Sequence, residues 1–117
     1  MAPHVPLTPD TQGLINEAAF AKMKDGVRII NCARGELIVD QALADALKSG
    51  QVAGAALDVF SQEPPKDSPF FALENVILTP HTGFYSVEAL NELQTKCASD
   101  VARVLSGEKA VYPISAK

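Results

Sequence analysis

Four side chains in this sequence have the types and settings for moving protons and gripping an acid: Arg34, Asp58, Glu63 and His81. Arg34 stands just past an apolar run, Val27-Arg28-Ile29-Ile30, in Asn31-Cys32-Ala33-Arg34-Gly35. A guanidinium is a planar fork of donors that suits a carboxylate, gripped bidentately. Histidine passes protons near neutral pH. A neighbouring glutamate favours the protonated ring and fixes its orientation. Together these are the needs of reducing a 2-oxo acid, where an incoming hydride is matched by a proton on oxygen. Singly, each residue has a plainer reading. Arg34 would pin a loop, Asp58 cap a turn, Glu63 lie in solvent, and His81 be satisfied by backbone. As a set, they favour the functional reading.

The elements between them must bring the four together. His4 to Pro9 reads as extended, because Pro6 and Pro9 forbid a helix interior. Asn16 is a good N-cap for a first helix over about Glu17 to Asp25, with Gly26 as its stop. Val27 to Asn31 reads as a buried strand, and Gly35 as the residue that lets the chain turn sharply after Arg34. Asp40 is a candidate N-cap for a second helix over Gln41 to Ser49, closed by Gly50. Val52 to Phe60 lacks polar alternation, as a strand covered on both faces should. Ser61 to Ser68 is a proline-rich loop holding Glu63; Phe70, Phe71 and Leu73 are expected to tuck onto the core. Val76 to Thr79 is the last strand, and Pro80-His81-Thr82-Gly83 follows directly. Ser86 then caps a long helix over Val87 to Leu105, with Leu90, Leu93, Cys97, Val101 and Val104 as its apolar stripe and a loose tail beyond. Apolar strands alternating with helices over short connections predict an α/β fold, a parallel sheet with flanking helices. Such sheets carry ligands at the carboxyl ends of their strands, where Arg34, Asp58, Glu63 and His81 all fall.

Bulk properties exclude some classes. The 117 residues are 47% apolar with a formal net charge of -4 and no basic cluster, which argues against nucleic acid or an anionic membrane as partner. No apolar run approaches the ~20 residues of a membrane span. The two cysteines, Cys32 and Cys97, suit a reducing cytoplasm better than a disulfide framework. Cys32 is expected to be a plain buried thiol. No Cys/His set has metal-ligand spacing, so no metal is expected.

Five stretches extend the pattern: His4-Val5-Pro6-Leu7-Thr8-Pro9-Asp10-Thr11, Asn31-Cys32-Ala33-Arg34-Gly35, Ala56-Leu57-Asp58-Val59-Phe60, Glu63-Pro64 and Thr79-Pro80-His81-Thr82-Gly83. With these motifs in register, the chain resembles the D-isomer-specific 2-hydroxyacid dehydrogenases, nearest their phosphoglycerate and glycerate dehydrogenase branch. The resemblance implies half of a Rossmann-type doubly wound domain and hydride transfer between a nicotinamide and a small 2-hydroxy or 2-oxo acid. It implies Arg34 on the substrate carboxylate and carbonyl, His81 as general acid/base and Glu63 as its partner. It also implies Asp58 on the nicotinamide carboxamide, and Val5, Cys32, Ala33, Arg34, His81 and Gly83 along the cofactor. The cofactor implied is NAD, with NADP left open.

No G-x-G-x-x-G turn occurs in the sequence, and Gly50 and Gly54 stand alone. Without that turn the pyrophosphate has no seat. Residues 1–117 are therefore expected to form a single partial NAD-binding domain, its second half, inactive in isolation. A sheet cut at that point exposes an apolar edge, which predicts a homo-oligomer. The rival reading is a non-catalytic, self-associating α/β fragment with idle site residues. A Ser/His/Asp hydrolase is disfavoured, since no serine sits in a G-x-S-x-G turn.

Overall fold

The computed structural model describes residues 1–114. The chain divides into two units, Met1–Gly83 and a second beginning at Phe84.

The first unit is built on a parallel sheet of β1 (Val27–Asn31), β2 (Val52–Leu57) and β3 (Val76–Leu78), in that spatial order. The segment before it is not a strand; it reaches the fold through Met1, which bonds the backbone of Arg28 and Ile30 in β1, and through an isolated parallel bridge between Ile15 and Ile38. Asn16 caps α1 (Glu17–Phe20) by accepting from the Ala19 amide at 3.1 Å. The helix expected to Asp25 stops after one turn. Phe20 is its only buried residue, and Met23 reaches the core from the turn that follows rather than from a continued helix.

Helix α2 (Asp40–Ser49) supplies most of the core: Ala42, Leu43, Ala44, Ala46 and Leu47 are all buried, with Ile29, Leu37, Val52, Ala55 and Leu57 in the same cluster. Its N-cap is Val39, not Asp40. Asp40 is the first helical residue, and its carboxylate accepts from the Ser61 hydroxyl instead. Gly50 closes the helix at φ 83°, where a side chain would be strained.

β2 ends at Leu57, short of Phe60, and it is covered on one face only within this unit. Burial alternates along β1 and β2, and the far face leaves Ile30 and, on β3, Ile77 exposed at 50% and 67%. The cause is that α2 packs on one side of the sheet. Of the aromatic pair expected to tuck in, Phe70 is buried and Phe71 exposed, while Leu73 is half-buried against the core.

In the second unit Ser86 caps α3 (Val87–Leu105), accepting from the Ala89 amide at 3.0 Å. None of the residues of α3 is buried. The following segment is not loose at its start: the Asp100 carboxylate accepts from the Val111 amide at 2.7 Å and the Tyr112 amide at 3.2 Å. Lys96 Nζ lies 5.6 Å from the centre of the Tyr112 ring. Among the described residues no helix is long and apolar enough to cross a membrane.

Candidate active site

The parallel register aligns the ends of the strands. Asn31 pairs with Leu57, and Leu57 with Leu78. The Asp58 amide donates to the Asn31 carbonyl at 2.9 Å and the Thr79 amide to the Leu57 carbonyl at 3.0 Å. The segments carrying Arg34, Asp58 and His81 therefore leave the sheet at the same rim.

At the end of β1 the turn is folded by a buried asparagine. Asn31 Nδ2 donates to the Arg34 carbonyl at 2.9 Å, and Asn31 Oδ1 accepts from the Ala33 amide at 3.1 Å. This is an Asx turn, in which a side chain replaces backbone partners. It holds Arg34 at the rim with its side chain exposed. One guanidinium nitrogen donates to the Ala33 carbonyl at 2.6 Å, which leaves the rest of the fork's donors uncommitted to that bond. Val5, Pro6, Leu7, Cys32, Ala33 and Arg34 line a groove of about 360 Å³. Cys32 is exposed there, contrary to the buried thiol expected, because the side chain follows the last residue of the ladder and faces the groove.

Gly35 does not act as a left-handed turn. It is buried, and a Cβ on it would overlap the Phe60 carbonyl and the Ser61 amide nitrogen. It is glycine because another backbone lies against it.

Beyond β2 and β3, His81 Nδ1 and Glu63 Oε2 are 2.8 Å apart, and the Phe60 amide donates to Glu63 Oε1 at 3.0 Å. The hydrogen bond from His81, then that from Phe60, holds the Glu63 carboxyl below the usual glutamate range, and Arg34 lowers it further by charge. His81 has φ 55°, a left-handed conformation uncommon for a residue with a side chain.

Asp58 is buried beneath the same loop. Its Oδ1 accepts from the Thr79 hydroxyl at 2.5 Å and the Thr82 amide at 2.9 Å, and its Oδ2 from the Gly83 amide at 2.8 Å. Burial alone would raise its pKa. The hydrogen bonds from Thr79, Gly83 and Thr82, with the charge of His81, outweigh that and leave it below the usual aspartate value. A Cβ at Gly83 would stand 2.9 Å from Asp58 Oδ2 and 3.8 Å from Cys32 Sγ.

The residues singled out from the sequence thus gather at one end of the sheet: Val5, Cys32, Ala33 and Arg34 in the groove, Gly83 near Cys32 over Asp58, and Glu63 with His81 beside them. Asn31, Thr79, Asp40 and Ser61 carry no site role in the sequence reading, although each shapes this rim. Asn31 had a signal, a lone amide closing an apolar strand. Asp40 and Ser61 had none, since they lie far apart in sequence.

Residues 1–83 match the family model described as D-isomer specific 2-hydroxyacid dehydrogenase, NAD binding domain. The chain belongs to that family. It is 50% identical over 107 residues to the D-3-phosphoglycerate dehydrogenase of Methanocaldococcus jannaschii, covering 92% of this chain and 20% of that protein. The holo form of Rhodotorula graminis D-mandelate dehydrogenase is 37% identical with a TM-score of 0.88, over 98% of this chain and 34% of that one. D-lactate dehydrogenase with NAD+ from Lactobacillus jensenii is 30% identical with a TM-score of 0.85, over 98% and 39%. The chain therefore spans about a fifth of the length of the curated relative it matches.

Proposed function

We propose that this chain is the nicotinamide-side half of the dinucleotide-binding domain of an NAD-dependent D-2-hydroxyacid dehydrogenase, and that it carries the acid/base and acid-gripping groups of that reaction. The observation that carries the reading is the hydrogen-bonded His81–Glu63 pair on the same rim as Arg34, whose charge reaches Glu63.

Arg34 holds the substrate carboxylate with its remaining donors and polarises the adjacent carbonyl. Glu63 fixes the ring of His81 through Nδ1, so Nε2 is the nitrogen that gives a proton to the carbonyl oxygen in reduction and takes it back in oxidation. Asp58 supports the loop that presents His81 and, with Val5, Cys32, Ala33 and Gly83, forms the wall for the nicotinamide end. The groove beside Arg34, with its mixed apolar and backbone lining, fits a flat polar ring. A nicotinamide cofactor held there would supply the hydride from its reduced form and accept it back in its oxidised form. These 117 residues hold no Gly-rich turn for the pyrophosphate, so the isolated chain turns over negligibly.

The test is an NMR titration of the chain with pyruvate as the 2-oxo acid probe, watching the Arg34 guanidinium and His81 ring signals. Saturable shifts that vanish in Arg34→Ala support the reading; no shift at millimolar pyruvate overturns it. Robust NADH oxidation by the isolated chain would overturn the half-domain assignment.

The second reading, a self-associating fragment, is favoured by the open sheet face at Ile30 and Ile77. Light scattering behind size-exclusion chromatography checks it; a monomer at high concentration removes it. The exposed thiols of Cys32 and Cys97 support a reducing cytoplasm as the compartment.

A further inference from the structure

Two loops that carry different parts of the proposed chemistry are fastened to each other away from the reacting groups. The first runs from Arg34 through Gly35 to Asp40. The second runs from Phe60 through Ser61 to Glu63. They meet at two points. The backbone at Phe60 and Ser61 lies against Gly35, in the space a Cβ would fill. The Ser61 hydroxyl donates to Asp40 Oδ2. Between these points and the histidine stands one further link, the Phe60 amide on Glu63 Oε1 at 3.0 Å.

We propose that Ser61, with Asp40 as its acceptor and Gly35 as its seat, is a positioning residue: it clamps the arginine loop to the glutamate loop and so sets the alignment of Glu63 on His81. The proposal rests on the reading of that pair as the acid/base unit. Ser61 acts through its bond to Asp40 and through the backbone of its own loop. It is exposed, and its hydroxyl reaches across 21 positions of sequence to Asp40. An exposed serine has no need of such a partner for burial. What the bond does is fix the backbone that presents Phe60 N–H and Glu63, and small misplacements of such groups are costly in catalysis.

Asp40 is the poorer residue to mutate, because it also sits in the first turn of α2, where a carboxylate favours the helix. Ser61→Ala removes the clamp without changing charge, and Ser61→Thr keeps the hydroxyl. The experiment follows the Glu63 side-chain carboxyl by carbon NMR through a pH titration of the full chain, with His81 and Arg34 as the charged groups that act on it. In the parent chain the carboxyl titrates below the ordinary glutamate value, as its hydrogen bonds require. In Ser61→Ala its midpoint moves up toward that value, in Ser61→Thr it stays, and backbone shifts of the sheet are unchanged in both. A midpoint unmoved in Ser61→Ala overturns the clamp, as does an equal shift in Ser61→Thr. His81→Ala serves as the control for the pair itself. If it leaves the Glu63 midpoint in place, the acid/base reading fails; if it moves the midpoint while Ser61→Ala does not, the clamp alone fails.

Discussion

The sheet unit, Met1–Gly83, and the helix α3 that follows it carry equally clear hydrophobic patterns and use them differently. In the first, α2 has Leu43 and Leu47 one turn apart, and both are buried. In α3 the residues Leu93, Val101 and Val104 repeat at helical spacing just as plainly, yet all are more than half exposed. A periodic stripe specifies a helix and the face that is free to pack. Whether that face buries anything depends on a partner surface, which no period encodes. The polar groups differ in the same sense. Asp58 is enclosed by three donors from one loop, whereas Glu92 and Lys96 of α3 form an exposed ion pair one turn apart.

The largest effect that would break this contrast lies in the core. Leu43→Ala should cost the sheet unit about 2–5 kcal/mol in denaturant unfolding, while Leu93→Ala should change stability by less than about 0.5 kcal/mol. Equal losses would mean that the α3 stripe is buried in solution. Next in size, Asp58→Asn leaves a buried donor facing the Gly83 amide and should cost about 1–3 kcal/mol. Local hydrogen exchange at Thr82 and Gly83 should speed up while exchange in α3 does not.

Acid gives a related but smaller test. The folded Asp58 carboxyl titrates below 3.8, so the unfolded state binds the proton first. Its contribution to stability is complete above that value and is lost progressively as the pH falls from there through the folded pKa. The melting temperature should therefore hold from neutral pH to about 4 and then drop, and the drop should be shallower in Asp58→Asn. Glu63 has the same sign, its share being complete above the ordinary glutamate value of 4.5. The smallest effect belongs to the cap of α3. Ser86→Ala removes the acceptor for the Ala89 amide and should cost the helix about 1 kcal/mol, read as lost helicity by circular dichroism with the sheet unit unmoved.

Much of the site is legible in the sequence. Parallel strands must end at one rim, so Arg34, Asp58 and His81 could be placed together from the order of elements alone. Gly35 looked like a turn residue, because a glycine after a strand commonly is one. Its actual requirement is the close approach of Phe60, a residue 25 positions later. Asp40 looked like an N-cap by type, but the chain enters α2 one residue earlier and sends that carboxylate to Ser61. Cys32 looked buried because it ends an apolar run, yet it stands just past the ladder at the mouth of the groove.

By itself the sequence determined the strands, the two main helices, their parallel arrangement and the residue types on the carboxyl rim, because these follow from local periodicity, capping and chain order. Only the tertiary structure decided which donors close on Asp58, which backbone fills the space at Gly35, which loops are fastened through Ser61, and which apolar faces stay open. Those depend on distances between segments remote in sequence, and such distances exist only once the chain has packed.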